Sequence, residues 1–219
     1  MGGGGAGPSR LIRARHRLTT SERRRRILDT SARHFARHGF SGARIRKIAL
    51  ACGVADTLLF HHFPSKDALY REILDSRLSV PEREIFPPFS RFDGDDEAFL
   101  SAVASGLLAR MESDPSFTRL LFYGALEDHD LAHDFVDCRI RKSVRYVARY
   151  LALRQRQGGF RKVDSLVAAR AFLGMVVHHS LLTHLFGYPL RPAVPQETLV
   201  RAWVALFLNG VRKASEKRA

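Results

Sequence analysis

The sequence predicts an all-α fold, with an N-terminal three-helix unit joined to a larger C-terminal helical body. Three observations carry this. Apolar residues recur at helical spacing through the chain, and almost nothing alternates at the period of two that marks a strand. Glycines, prolines and capping side chains punctuate the sequence at intervals suited to helices. The third is the stretch Arg44 to Tyr70, RIRKIALACGVADTLLFHHFPSKDALY, which reads as two short helices about a glycine turn followed by a sharp stop.

In that stretch the small Ala49 lets two helices approach closely, and Gly53 can take the positive φ that ends the first of them. Leu59 points back between the helices, with Ile45, Ile48, Val54 and Phe63 completing a small core. Pro64 ends the second helix near Phe63, and Ser65 is placed to cap a third starting at Lys66. Two helices joined by a turn of three to four residues can deliver the second into the DNA major groove.

Charge agrees with a polyanion partner. Of 36 Lys+Arg and 22 Asp+Glu, residues 1–70 hold 14 and 4, a net of +10, while the rest of the chain is close to balance. Arg23 to Arg26 form an unbroken block, preceded by Arg10, Arg13, Arg15 and Arg17. A basic third on a near-neutral body is the footprint of a nucleic-acid module attached to something else. The arginines before Ile27 either follow the minor groove as an arm or form a solvated tail.

The strings ERRRRILDTSARHFARHGF, RIRKIALACGV and LLFHHFPSKDALY resemble the N-terminal DNA-binding domain of the TetR (tetracycline-repressor-like) family of bacterial regulators, across residues 21–70. The remainder resembles that family in helical character and length. Departures are visible: Ala43 and Ala55 stand where the family usually has capping Thr and Ser. Asp56 is an acid on the DNA side, Leu58 replaces a small hydroxyl residue, and Phe60 replaces a Tyr. The residues expected to touch DNA are Arg44, Arg46, Thr57, His61, His62 and Lys66, and the resemblance supports His62 and Lys66 as backbone contacts.

The later elements follow from punctuation. A helix runs from Lys66 to about Leu78; Pro81, Pro87 and Pro88 interrupt the chain. Further helices are expected over about Asp96–Met111, Asp114–Leu126, Leu131–Gln157, Asp164–Phe186 and Pro195–Ala214. The last two are apolar over more than one face, which predicts a partner helix as well as a core. Val177, Leu181, Leu185, Leu199, Trp203 and Phe207 are the expected dimer surface, built as a four-helix bundle. The resemblance implies the same arrangement.

The resemblance also implies a small-molecule cavity in the C-terminal helices, with Met111, Phe117, Phe122, Tyr123, Phe172, Met175 and His178 as candidate ligand contacts. His129, His133 and Asp137 have a spacing that can hold a metal, but solvated helix-start carboxylates explain the pattern better. Nothing calls for a metal or other cofactor. No phosphate-cradling glycine loop, Gly-x-Ser-x-Gly elbow or His-Glu-x-x-His pair supports an enzyme. No segment reaches the ~20 apolar residues of a membrane span, because His178, His179 and His184 interrupt the most hydrophobic one. Cys52 and Cys138 read as reduced thiols.

The expected organisation is a flexible basic tail over residues 1–18, a helix-turn-helix domain over 19–66, and an effector-binding and dimerisation domain over 67–219. The expected function is a cytoplasmic, homodimeric, operator-binding transcription regulator, a repressor released by a small molecule, with no membrane partner. The alternative is a helix-turn-helix protein-interaction module with weakened operator binding.

Overall fold

The structure, a computed structural model, describes residues 19–78 and 86–212. Helices make up most of the described residues, with no β-strand among them. The N-terminal unit consists of α1 (Thr20–Gly42), α2 (Ile45–Cys52) and α3 (Asp56–His62), followed by the connector α4 (Lys66–Leu78). A 3-10 turn at Phe89–Arg91 precedes α5 (Asp96–Ser113), α6 (Pro115–Leu126) and α7 (Asp130–Arg156). The chain closes with α8 (Ser165–Ser180), which runs on as a π turn over Leu181–Leu185, and α9 (Gln196–Val211). Arg10, Arg13, Arg15, Arg17 and Pro81 lie outside the described residues.

Helix ends follow their chemistry. Thr19 and Glu22 form a capping box at the start of α1: Thr19 Oγ1 accepts from the Glu22 N–H (3.3 Å), and the Glu22 carboxylate accepts from the Thr19 N–H (2.8 Å). The Thr19 N–H and, at 2.9 Å, the Thr19 hydroxyl both donate to the Glu22 carboxylate and hold it below the usual carboxylate range. Asp95, Asp114 and Asp164 cap α5, α6 and α8 through their side chains, and Pro115 takes the first position of α6. Because α1 begins at Thr20, Arg23 to Arg26 are folded into its first turns. They are distributed around that helix, with Arg24 turned inward to Glu72 and Phe63, and an arm of those four residues is excluded.

Two cores build the molecule. The first gathers Ile27, Phe35, Ile48, Leu59, Leu69, Tyr70 and Ile73 from α1 to α4 and extends to Phe117, Leu120 and Ala132 of α6 and α7. The second joins Phe99, Leu108, Val147, Tyr150, Phe172, Val176 and Phe207 of α5, α7, α8 and α9. Within it Asp96 is buried but paired. It accepts from the Tyr150 hydroxyl at 2.8 Å and from Arg154 Nε at 2.7 Å, so the carboxylate is not stranded in apolar surroundings.

The stretch Ser165–Leu185 is 21 residues long with mean hydropathy 1.4, so by length and composition it could cross a membrane. This corrects the expectation from sequence. The helix runs unbroken through all three histidines, because the π turn prolongs it to Leu185. Its inner face packs into the second core through Ala169, Phe172, Leu173 and Val176, as a core helix does. Only 28% of its most apolar window is buried within one chain.

Candidate nucleic-acid interface and effector domain

The turn between α2 and α3 is built as its sequence dictates. Gly53 takes φ 69° and ψ 35°, the left-handed cap that closes α2, and its N–H reaches back to the Ala49 and Leu50 carbonyls. Ile48, Ala49, Leu59 and Phe63 are fully buried beneath it, with Ile45 and Val54 packed against them. Ala55 occupies the N-cap of α3 and makes no side-chain cap, as its lost hydroxyl predicts. Ala43 lies elsewhere than expected: it caps the C-terminal end of α1, and Arg44 occupies the N-cap of α2.

Of the six residues expected at DNA, four are exposed: Arg44, Arg46, Thr57 and His61, on α2 and α3. Lys47, which sequence reasoning passed over, is exposed beside Arg46; its place opposite the buried Ile48 and Ala49 was the available signal. His62 is half-buried, its carbonyl accepts from Arg24 at 3.4 Å, and burial pushes its imidazole below the ordinary value. Lys66 differs most. Its ammonium donates to the Phe40 carbonyl at 2.9 Å and the Ala43 carbonyl at 3.3 Å, and lies 4.3 Å from the Phe40 ring centre. It ties α4 to the corner between α1 and α2, satisfying carbonyls that the helix end leaves open.

That corner is also where the N-terminal helices meet the end of α6. Glu127, just past α6, accepts from the Phe40 N–H at 2.6 Å and from the Ser41 N–H at 3.3 Å. Gly39 makes room for it: at φ 69° and ψ 178° the backbone occupies a region essentially reserved for glycine, and a Cβ there would collide with the Glu127 carboxylate. His129 meets Phe40 edge-on with ring centres 4.0 Å apart, and the buried Tyr70 donates to the Leu120 carbonyl at 3.4 Å. A second close approach holds α6 down, since a Cβ at Gly124 would strike Ala132 and the Tyr70 hydroxyl.

The expected ligand contacts do not converge. Phe117 is buried in the first core, edge-on to Phe135 at 5.5 Å, whereas Phe172 lies in the second against Phe207 at 5.0 Å. Met111, Tyr123 and Met175 are half-buried, and Phe122 and His178 face outward. His178 was singled out because it interrupts an apolar helix. The structure turns it to the open side of α8, while its neighbour His179 rests on Trp203 at 5.3 Å. Burial pushes the His179 imidazole below its ordinary value. The buried Ser180 and the half-buried Thr183 and His184, absent from the expected set, carry three buried polar atoms without a hydrogen-bond partner: Ser180 Oγ, Thr183 Oγ1 and His184 Nε2.

The expected dimer residues divide as well. Val177, Leu181, Leu185, Leu199 and Trp203 are half-buried within one chain and keep an open edge. Phe207 belongs to the inner core and is corrected out of the set, because helical spacing alone did not distinguish it from its neighbour Leu206, which is 67% exposed. Among the described residues no group of three His, Cys, Asp or Glu side chains is arranged to hold a metal ion. His129 faces Asp67 at 3.7 Å, while His133 faces Asp128 at 3.5 Å.

Comparison with known proteins adds the identity of the fold. Residues 27–73 match the family described as bacterial regulatory proteins, tetR family, and residues 99–210 match the C-terminal domain of AefR-like transcriptional repressors. An HTH-type transcriptional repressor of Mycobacterium tuberculosis is 33% identical over 103 residues, 44% of this chain and 55% of that protein. The HTH-type transcriptional regulator RutR of Escherichia coli is 40% identical over 76 residues, 32% of this chain and 36% of RutR. The matched region thus spans about half or less of these relatives' lengths. The crystal structure of AibR in complex with isovaleryl coenzyme A and operator DNA superposes with a TM-score of 0.61 at 24% identity, covering 84% of this chain and 97% of AibR. With both halves of the chain matched in order, the protein belongs to the TetR family of bacterial regulatory proteins.

Proposed function

We propose that the protein is a dimeric, sequence-specific DNA-binding regulator, a non-enzymatic cytoplasmic repressor whose hold on its operator is released by a small molecule. Residues 19–66 make the DNA contact, and residues 67–219 bind the effector and the second subunit. The observation that carries this reading is the exposure of Arg44, Arg46, Lys47, Thr57 and His61 on a helix-turn-helix held by a buried three-helix core. Arginine and lysine neutralise phosphates and release counterions, so binding weakens steeply with salt. Arg46, near the start of α2, and Thr57, in the first turn of α3, are the best candidates for contacts that reach bases.

Dimerisation follows from α8 and α9. Leu206, Val167 and Leu166 are exposed on these helices, and the apolar surface is larger than a solitary chain covers. A two-fold partner seated there sets two copies of α3 at a fixed separation, roughly 34–36 Å for half-sites one helical turn apart. An effector that favours another subunit arrangement breaks that match. AibR, which has the same fold, is crystallised with both operator DNA and isovaleryl coenzyme A.

A second reading has its own observation. Leu50 is 80% and Phe60 48% exposed on the motif, beside Asp56, a surface that suits a protein partner better than a phosphate backbone. Titration of the purified chain onto DNA upstream of its own gene separates the two. Specific, salt-dependent binding supports the regulator; equal and weak affinity for every fragment supports the interaction module.

A further inference from the structure

We propose that Ser180, Thr183 and His184 form the polar end of the effector site, and that they take a compact, uncharged molecule carrying a hydrogen-bonding oxygen on an apolar frame. This rests on the reading of the protein as a ligand-responsive regulator. Ser180 Oγ, Thr183 Oγ1 and His184 Nε2 are buried and have no hydrogen-bond partner, and Ser180 as a residue is only 1% exposed. Buried polar side chains in folded proteins are paired in the large majority of cases, so three orphans within five residues call for an explanation. Their positions are i, i+3 and i+4, which places them on one face of the helix. The backbone changes there too: α8 gives way to the π turn, and the Phe186 N–H donates to the Leu181 carbonyl at 3.0 Å. Such turns inside helices occur frequently at functional sites.

The chemistry of the three atoms selects the class of ligand. Each hydroxyl can give or accept, and the imidazole nitrogen does one or the other according to its tautomer. None brings a fixed positive charge, so they complement a carbonyl, hydroxyl or amide. A phosphate or carboxylate is met better by a guanidinium fork. Leu181, Leu182 and Leu185 are half-buried on the same turn and supply the apolar surroundings.

The position also explains how occupancy is transmitted. The π turn packs against α6, and α6 packs along α1. Just beyond the end of α6, Glu127 holds the Phe40 and Ser41 N–H groups. A ligand that reshapes the π turn therefore displaces the helix that fixes α1, and with it the motif.

Trp203, the chain's single tryptophan, lies against His179 and reports on this segment by fluorescence. The test titrates the full-length protein with para-propylphenol, methyl pentyl ketone and N-propylbenzamide, with butyryl coenzyme A as the phosphate-bearing comparison. At least one neutral probe gives a saturable Trp203 response, and butyryl coenzyme A binds more weakly. Ser180→Ala and Thr183→Val each weaken that probe about tenfold, the effect of one lost hydrogen bond. Ser180→Ala leaves the melting temperature of the free protein equal or higher, because it removes an unpaired hydroxyl. A lower melting temperature for Ser180→Ala overturns the proposal. So does the absence of any saturable neutral probe, unchanged affinity in both variants, or tighter binding of butyryl coenzyme A. Binding to upstream DNA is measured on the same samples: if wild type binds DNA and the probes fail, this inference falls alone, and if DNA binding fails, the regulator reading falls with it.

Discussion

At the scale of single residues, the N-terminal unit and its seam with α6 depend on a few specific groups. Gly39 and Gly53 both take positive φ, yet they differ in what surrounds them: the Glu127 carboxylate crowds Gly39, and nothing lies within 4 Å of a Cβ at Gly53. Gly53→Ala is therefore expected to cost about 1 kcal/mol, the left-handed penalty alone. Gly39→Ala adds a collision and a glycine-only backbone, and is expected to cost about 2–3 kcal/mol. Urea denaturation of the two variants checks the order, and equal losses would contradict the collision. Glu127→Ala leaves the Phe40 and Ser41 N–H groups without their acceptor, with an expected loss of about 1–3 kcal/mol. Ala55→Ser works in the opposite direction. It restores a cap at the start of α3, and a gain of ~1 kcal/mol in the same assay is expected.

At the scale of elements, α2 and α3 were legible because every signal there is local. Gly53, the Phe63-Pro64-Ser65-Lys66 stop and the spacing of Ala49 and Leu59 each fix the chain within a few residues, and the helix bounds followed. The Thr19–Glu22 capping box was equally local, and its Thr-x-x-Glu spacing was open to view but unread. The expected ligand contacts do not gather in one place, for the converse reason. Phe117 and Phe172 look alike in sequence, and only tertiary packing assigns one to each core. Lys66 was read as a phosphate contact from its place at a helix start, whereas its partners are carbonyls 23 and 26 residues away. Single variants separate these roles in DNA titrations at several salt concentrations. Arg46→Ala and Lys47→Ala each reduce the salt slope by about 1 if each meets one phosphate. Lys66→Ala lowers stability as well, because two carbonyls at the α1–α2 corner lose their donor.

At the scale of the whole molecule, charge, proton linkage and symmetry can be tested together. The His34 and His179 imidazoles are held below their ordinary value, in both cases first by burial. Below about pH 6.5, where histidines of the unfolded chain gain protons, the unfolded state binds more protons than the folded one. Stability present above that pH is thus lost as pH falls, and the melting temperature should drop between pH 7.5 and 5.5; a rise would contradict the sign. Leu206→Glu places a charge on the open face of α9 and should convert dimer to monomer in sedimentation while leaving helix content unchanged. The proposed regulator needs a symmetric pair of α3 helices on one operator. That requirement is tested most directly by titrating the full-length chain onto DNA upstream of its own gene, and onto a scrambled duplex, at two salt concentrations. The expected result is two chains per site, binding at least ~10³-fold tighter than to the scrambled duplex, and a steep loss of affinity at higher salt. Equal affinity for both duplexes, or binding indifferent to salt, would contradict it.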